Sequence, residues 1–198
     1  MSATRKSLWT LVVAILTTAC ASGPRWVAAG GTYTPPSNRY TMQLPQGWRR
    51  LEGQDWLLTS RDGPFLQSLS VRIIEVDKPL GKSTKKVLAR GMLPQEAAEV
   101  IQDAIASSPG MQGMKLLENA PAELDGRPGF KLVVGYKDED GLKMKAVVYG
   151  VLVGDSLYQL TYRAPERYYF QQDLATAEQM RATFRIAQPA AVQTRGAN

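Results

Sequence analysis

The sequence predicts an α+β fold: an antiparallel β-sheet that ends in a C-terminal three-stranded meander and is flanked by helices. Asp125-Gly126, Asp140-Gly141 and Gly154-Asp155 each separate two strand-like runs. Such dipeptides favour two-residue hairpin turns, which need positive φ angles. Two stretches, 83–107 and 167–183, carry helix-boundary residues and helical apolar spacing. Strands joined by hairpins form an antiparallel sheet, and the helices then cover it.

The two last turns also predict the register of the meander. A two-residue turn at Gly154-Asp155 places Tyr149 opposite Leu160. A two-residue turn at Asp140-Gly141 places Tyr149 opposite Leu132. Directly opposed side chains share a sheet face, and a slip of one residue would exchange the faces. One apolar face is therefore predicted, made of Phe130, Leu132, Val134, Val147, Tyr149, Val151, Tyr158, Leu160 and Tyr162.

Shorter elements precede the meander. Strands are predicted at 40–44, from Trp48, at 55–60 and at 65–76, where apolar and polar residues alternate. The helical region divides into two pieces. Residues 83–90 begin at a capping serine and stop before a glycine, and residues 94–108 begin with a proline in the first turn.

Several of these segments together resemble one family. The stretches "YTMQLPQGW", "LDGRPGFKLVVGY", "YGVLVGDSLYQLTYRAP" and "MRATFRI" resemble the Mog1/PsbP-like proteins over residues 38–187. The resemblance implies a central antiparallel sheet flanked by helices. Roles in that family vary, from nuclear-transport GTPase binding to photosystem assembly and envelope proteins of unknown role. No functional residue of the family matches a position here, so the resemblance leaves the function open.

The first nineteen residues have the parts of a secretory signal. Arg5 and Lys6 precede a short apolar run, and small residues lead to Cys20, the one cysteine of the chain. "LTTAC" resembles the lipobox of bacterial lipoproteins, although Leu16 lies one position further from the cysteine than usual. We therefore expect a signal peptide over 1–19 and lipidation, such as palmitate, on Cys20. Residues 20–37 are expected to form a flexible tether and 188–198 a disordered tail.

The resemblance to lipoproteins also implies a location in the cell envelope. Ala21 follows the cysteine, where inner-membrane lipoproteins often carry aspartate. We expect an outer-membrane anchor that faces the periplasm if the host is Gram-negative. The net charge of +6 comes from 24 basic and 18 acidic residues without a basic run, so no nucleic-acid partner is expected.

Three patterns raise the question of catalysis. "GDSL" at 154–157 matches the nucleophile block of an ester-hydrolase family, but the chain has no histidine to complete a Ser-His-Asp triad. We interpret it as a turn. Ser83 and Lys86 match the Ser-x-x-Lys nucleophile motif without its companion elements. The acidic run 138–140 lacks the spacing of a calcium loop. No catalytic residue, metal or cofactor is predicted.

One stretch combines charge with aromatic surface. Arg163, Arg167, Tyr168 and Tyr169 surround the predicted start of the last helix, and such mixtures are typical of recognition surfaces. The alternative is a capped helix whose aromatic rings enter the core. The sequence predicts a monomeric, non-catalytic, membrane-anchored envelope module that binds a protein, a lipid or a cell-wall component. The alternative function is an envelope hydrolase that uses carboxylates or a Ser/Lys pair.

Overall fold

The computed structural model describes residues 25–81, 84 and 86–187. These residues form eleven strands and two helices. The strands are β1 (Trp26–Ala28), β2 (Gly31–Tyr33), β3 (Tyr40–Leu44), β4 (Arg49–Leu51), β5 (Leu57–Ser60), β6 (Ser68–Glu75), β7 (Gln112–Leu124), β8 (Arg127–Lys137), β9 (Lys143–Val153), β10 (Ser156–Pro165) and β11 (Arg185–Ile186). The helices are α1 (Pro94–Ala106) and α2 (Tyr169–Ala182).

Eight strands form one antiparallel sheet in the order β1-β4-β5-β6-β10-β9-β8-β7. A second sheet of three strands has the order β11-β3-β2. The predicted α+β class and the C-terminal meander β8-β9-β10 are confirmed. Neither described helix has the length and apolar character needed to cross a bilayer.

The small sheet and α2 cover one face of the large sheet. Their shared core is aromatic, with Tyr40, Tyr162 and Phe184 fully buried, and the rings of Tyr40 and Phe184 lie 5.2 Å apart. Burial of rings of this size is the largest apolar contribution that single side chains make to a core.

Helix α1 covers the other face over strands β7 to β9. Its buried residues Ala97 and Ile101 pack in one cluster with Phe130 and Leu132. The β5, β6 and β10 part of this face is polar, and Ser70, Arg72, Gln159, Thr161 and Arg163 are half-buried or exposed there. The sheet is therefore apolar on both sides at β8 and β9, and polar on one side at β5, β6 and most of β10.

The predicted register is right for one hairpin and wrong for the other. Tyr149 lies opposite Leu160, as predicted, but Leu132 lies opposite Val148 instead of Tyr149. The backbone N–H of Asp138 donates to the carbonyl of Leu142 at 3.0 Å, so three residues form the loop, and Gly141 takes its positive φ of 81°.

This correction changes which face the residues of β8 occupy. Phe130 and Leu132 pack in the α1 cluster, whereas Val133 joins Val147 and Tyr149 in the aromatic core. The predicted single apolar face is therefore wrong for β8, because the three-residue loop shifts this strand by one residue against β9.

Two further predictions are corrected. The described residues between 83 and 90 are not helical, because Val87 forms an isolated bridge with Pro79 and the N–H of Asp77 donates to the carbonyl of Leu88 at 2.7 Å. The predicted tether is interrupted by β1 and β2, which pair with β4 and β3. The fold thus begins N-terminal to residue 38. The predicted signal over 1–19, Cys20 and the tail 188–198 lie outside the described residues.

Candidate interaction surface

Ser156 begins strand β10 directly after a tight turn. Gly154 has a φ of 59°, and Ser156 lies opposite Val153. The serine is 4% exposed, and its hydroxyl accepts a hydrogen bond of 2.7 Å from Nη2 of Arg39. A guanidinium does not deprotonate in proteins, so Arg39 does not act as a base. The interpretation of "GDSL" as a turn agrees with this geometry.

The hydrolase alternative finds no assembled site among the residues that the structure describes. Ser83 lies outside them, and Lys86 is an exposed side chain whose Nζ lies 3.9 Å from Glu99. The buried carboxylate of Asp173 has its oxygens bound by Arg61 and Gln67. Within the described ranges, no group of three or more Asp, Glu, Cys or His side chains is placed to hold a metal.

One end of the large sheet carries unusually exposed aromatic residues. The side chain of Phe65 is 88% exposed and that of Tyr168 is 68% exposed. Phe65 lies in the β5–β6 loop, and Tyr168 lies three residues after Pro165, the last residue of β10. Because Arg163 of β10 pairs with Ser68 of β6, both loops leave the sheet at the same end. We call Phe65, Arg163, Arg167 and Tyr168 the aromatic end.

Tyr168 has a strained backbone. Its φ of 73° and ψ of −68° are those of a classic γ-turn, and the N–H of Tyr169 donates to the carbonyl of Arg167 at 3.0 Å. This turn is rare and costly for a residue with a side chain. Such strain persists only where the surrounding structure imposes it, and it is concentrated at functional sites.

Tyr162 holds the residues after this turn in place. Its hydroxyl is 3.1 Å from the carbonyl oxygens of both Tyr169 and Phe170. Burial, and then the nearby charge of Asp173, raise the pKa of Tyr162, so its hydroxyl keeps its proton. The buried ring of β10 therefore fixes the start of α2, and with it the γ-turn.

A polar network fixes the β5–β6 loop to α2. Nη1 of Arg61 lies 2.9 Å from Oδ1 of Asp173, which is 2% exposed. Nε2 of Gln67 donates to Asp173 at 3.1 Å and to Asp62 at 2.8 Å. The bonds from Gln67 and then Arg61 hold the pKa of Asp62 below its usual value. Phe65 is thus carried on a loop with fixed ends.

Arg163 borders a shallow hollow beside Phe65. The hollow has a volume of about 220 Å³ and is also lined by Tyr136 and the acidic tip 138–140. Nε of Arg163 donates to Ser68 Oγ at 3.2 Å. The buried hydroxyl of Tyr136 makes no hydrogen bond to the described residues. Burial raises the pKa of Tyr136, and the charge of nearby Arg163 lowers it in part.

The four residues that the sequence indicated as a recognition surface differ in their exposure. Arg163, Arg167 and Tyr168 are exposed, whereas Tyr169 is half-buried and packs against the aromatic core. Sequence reasoning missed Phe65, because it assigned this residue to the following strand. The N–H groups of Leu66 and Gln67 both donate to the carbonyl of Gly63, and this turn keeps Phe65 out of β6.

The fold defines a Mog1/PsbP-like α+β protein, and the resemblance noted in the sequence is confirmed. The PsbP family model matches residues 31–186, so the chain belongs to the PsbP family. No curated protein sequence shows significant similarity to the chain.

Solved structures share the fold at low sequence identity. Cyanobacterial PsbP (CyanoP) from Synechocystis sp. PCC 6803 is 15% identical with a TM-score of 0.55, over 87% of this chain and 99% of CyanoP. The Ran-binding protein Mog1p of Saccharomyces cerevisiae is 11% identical with a TM-score of 0.53, over 81% of this chain and 96% of Mog1p. LpqN, involved in cell envelope biogenesis of Mycobacterium tuberculosis, is 13% identical over 83% of this chain and 91% of LpqN, with a TM-score of 0.48. At such identities the first two similarities show the fold alone.

Proposed function

We propose that the chain is a non-catalytic binding module, anchored in the cell envelope by a lipid on Cys20, that takes a protein partner at the aromatic end. The proposed binding site rests on the exposure and the backbone conformation of Tyr168. Its ring is 68% exposed although its backbone is strained. In the isolated fold the ring has an edge contact with Tyr169 and little burial to offset this strain, and a partner that covers the ring supplies that burial.

The composition of the aromatic end favours a protein over a sugar or a free ion. Tyrosine and arginine are the residues that contribute most to protein interfaces when a partner buries them. Here two arginines, Arg163 and Arg167, accompany Phe65 and Tyr168. Mog1p, which has the same fold, is a Ran-binding protein, so this fold is able to serve protein recognition.

Rigid attachment strengthens the proposal. The loop of Phe65 is bound to α2 by Arg61 and Gln67, and the start of α2 is bound to Tyr162. A surface that is already ordered loses little conformational entropy when it binds, so more of the contact energy appears as affinity.

The lipid anchor is inferred from the sequence. A short apolar run after Arg5 and Lys6 ends in small residues and the single cysteine. The test is Cys20→Ser. The variant should leave the membrane fraction, and mass spectrometry of the native protein should find an acylated N-terminal Cys20. A variant that stays in the membrane fraction shows that lipid on this cysteine is not the anchor.

Site-specific photo-cross-linking in cells tests the binding site. A photoreactive residue at Phe65 and, separately, at Tyr168 should give the same cross-linked protein. The matched control is Leu117, which is 52% exposed but lies on the edge strand β7. Arg163→Ala with Arg167→Ala should weaken the adduct at Phe65. Equal adducts at all three positions, or none at the aromatic end, contradict the proposed site.

A further inference from the structure

The start of β1 limits the distance between the predicted lipid and the folded domain. Only five residues, 21–25, separate Cys20 from Trp26, the first residue of β1. Even a fully extended chain spans about 20 Å over this interval. This inference rests on the proposed lipid anchor in one respect: an acylated Cys20 holds the start of β1 close to the bilayer surface.

Strand β1 lies beside the aromatic end of the sheet, because Val27 is level with Tyr162 through Arg50, Thr59 and Leu69. Ala28 lies opposite Arg49, which in turn lies opposite Ser60, the last residue of β5 before the loop of Phe65. Trp26 lies further down the sheet, opposite Leu51. The strand therefore runs toward the aromatic end, and Cys20 precedes its other end. With about 3.3 Å per residue, Trp26 lies about 7 Å along the sheet from the level of Arg163, whereas the far end of the sheet, at Ser156 of β10, lies about 30 Å from Pro165.

A hollow with arginines and a tryptophan lies toward the far end of the sheet, and the chain that precedes β1 comes from this direction. The hollow has a volume of about 640 Å³, and its lining includes Arg39, Trp56, Arg72, Lys78 and Leu80. We call these five residues the tryptophan hollow. Strands β1, β4, β5 and β6 are neighbours, so at about 4.8 Å per strand Arg72 lies about 15 Å across the sheet from β1.

Two cations of the hollow have no carboxylate partner among the described residues. The guanidinium of Arg72 lies 5.3 Å from the ring of Trp56, and Arg39 bonds to Ser156 and lies over Tyr158. Lys78 is paired with Glu75. Asp55 also lines the hollow, so the lining carries three cations and two carboxylates. Arginine binds phosphate oxygens with two parallel hydrogen bonds, and Arg39 and Arg72 are not neutralised by an ion pair.

We propose that the tryptophan hollow binds the phosphate headgroups of anionic phospholipids in the membrane that holds Cys20. Tryptophan favours the headgroup level of a bilayer, and cations near an anionic surface are attracted to it. The lipid anchor and the hollow then give two contacts with one bilayer. Two contacts fix the orientation of the domain, and the aromatic end faces away from the membrane toward a soluble partner or one on an opposing surface.

The test uses a chain that begins at residue 21 and therefore carries no lipid. All strands, helices and core clusters described above lie within 25–187, so this chain keeps the fold. Its binding to vesicles of phosphatidylcholine alone and with about one third phosphatidylglycerol is measured by co-sedimentation. We expect binding only to the anionic vesicles, and no loss of that binding in about 10 mM inorganic phosphate, because screening is weak at an ionic strength on the order of 0.01 M.

Two double variants with equal charge change provide the contrast. Arg72→Gln with Lys78→Gln should bind the anionic vesicles roughly 25-fold more weakly, at about 1 kcal/mol per cation. Arg163→Gln with Arg167→Gln, at the aromatic end, should bind as the parent chain does. Quenching of tryptophan fluorescence by brominated anionic lipid should fall in Trp56→Phe.

Three outcomes overturn the proposal: no binding to anionic vesicles, equal weakening by both double variants, or displacement by inorganic phosphate. The last shows a site for the free ion. Because this chain lacks Cys20, the vesicle result does not depend on lipidation. A failure of the anchor appears instead as membrane retention of Cys20→Ser in cells.

Discussion

The guanidinium of Arg61, at the end of β5, lies 2.9 Å from the carboxylate of Asp173, which α2 carries into the protein at 2% exposure. This ion pair joins the loop of the exposed Phe65 to the helix that follows the strained Tyr168. The two halves of the aromatic end are therefore held by one contact between distant parts of the chain.

Arg61→Gln tests the contribution of this pair to stability. The change leaves a buried carboxylate with Gln67 as its described partner, and an unpaired buried charge is costly. Because Arg61 is 31% exposed, we expect a loss of about 2 kcal/mol, below the range for fully buried pairs. Urea unfolding at pH 7 measures it.

The matched control is Arg90→Gln, whose partner Asp155 lies 2.5 Å away in an exposed ion pair. An exposed pair contributes little, so the control should lose about 0.5 kcal/mol. Equal losses in both variants would show that the pair of Arg61 does not stabilise the fold more than a surface contact does.

The same network makes stability depend on acid pH through Asp62. The hydrogen bonds from Gln67 and Arg61 depress the pKa of Asp62 in the folded protein. A depressed folded pKa adds stability above the unfolded pKa, about 4, and this stability is lost as pH falls through the lower folded value.

Asp62→Asn should therefore lose less stability than the parent chain between pH 6 and pH 3, since the variant carries no charge to protonate. Urea midpoints across this interval measure the difference. Glu139→Gln makes the same change of charge at the exposed β8–β9 tip and should follow the parent chain. The idea fails if Asp62→Asn and the parent have parallel curves.

The β8–β9 register gives a prediction for Gly150. A Cβ built on Gly150 would lie 2.2 Å from the Phe130 ring, and Phe130 lies opposite Gly150. Gly150→Ala should therefore lose about 1–3 kcal/mol through overpacking. The register that the sequence predicted, with Leu132 opposite Tyr149, places Phe130 opposite Val151 instead, and the same substitution would have met no ring.

Gly135→Ala, in β8, is the control for this substitution. A Cβ there meets Leu117 Cδ1 at 3.5 Å, an ordinary contact. This variant should keep its thermal midpoint within a few degrees of the parent, as expected for a change below about 1 kcal/mol. A small effect at both glycines contradicts the observed register.

The hairpin turns show where sequence reasoning succeeds. Two dipeptide turns fix their registers locally: Leu124 lies opposite Arg127 and Val153 lies opposite Ser156. The third fails because the Asp138 carboxylate accepts hydrogen bonds from the N–H groups of Asp140 and Leu142. That side-chain capping lengthens the loop by one residue. The Asp-Gly dipeptide alone does not predict this longer loop.

The other failures come from contacts between distant segments. The sequence of 83–90 has a helix-like start, but the bridge between Val87 and Pro79 and the burial of Leu88 decide the conformation of the described residues in this range. Strand β1 has three residues, too few for a periodic pattern, and exists because it pairs with β4. At the aromatic end, composition indicated Tyr168 and the arginines, whereas the exposure of Phe65 depends on the turn at Gly63.

The strain at Tyr168 gives one prediction for the stability of two variants and another for their binding. Tyr168→Gly and Tyr168→Ala both remove the ring, and with it the edge contact to Tyr169 at 5.2 Å. Glycine adopts a positive φ without steric cost, whereas alanine keeps the strain of about 1–3 kcal/mol. Glycine also gains more entropy when the chain unfolds, which offsets about 0.5–1 kcal/mol.

The glycine variant should therefore be about 1 kcal/mol more stable than the alanine variant in urea unfolding, from the difference of these two effects. Both variants should give weaker cross-linking from Phe65, because the ring that the partner buries is gone. If alanine is as stable as glycine, the γ-turn relaxes without cost, and strain at Tyr168 no longer points to a binding site. If both variants keep full cross-linking, the ring does not contact the partner.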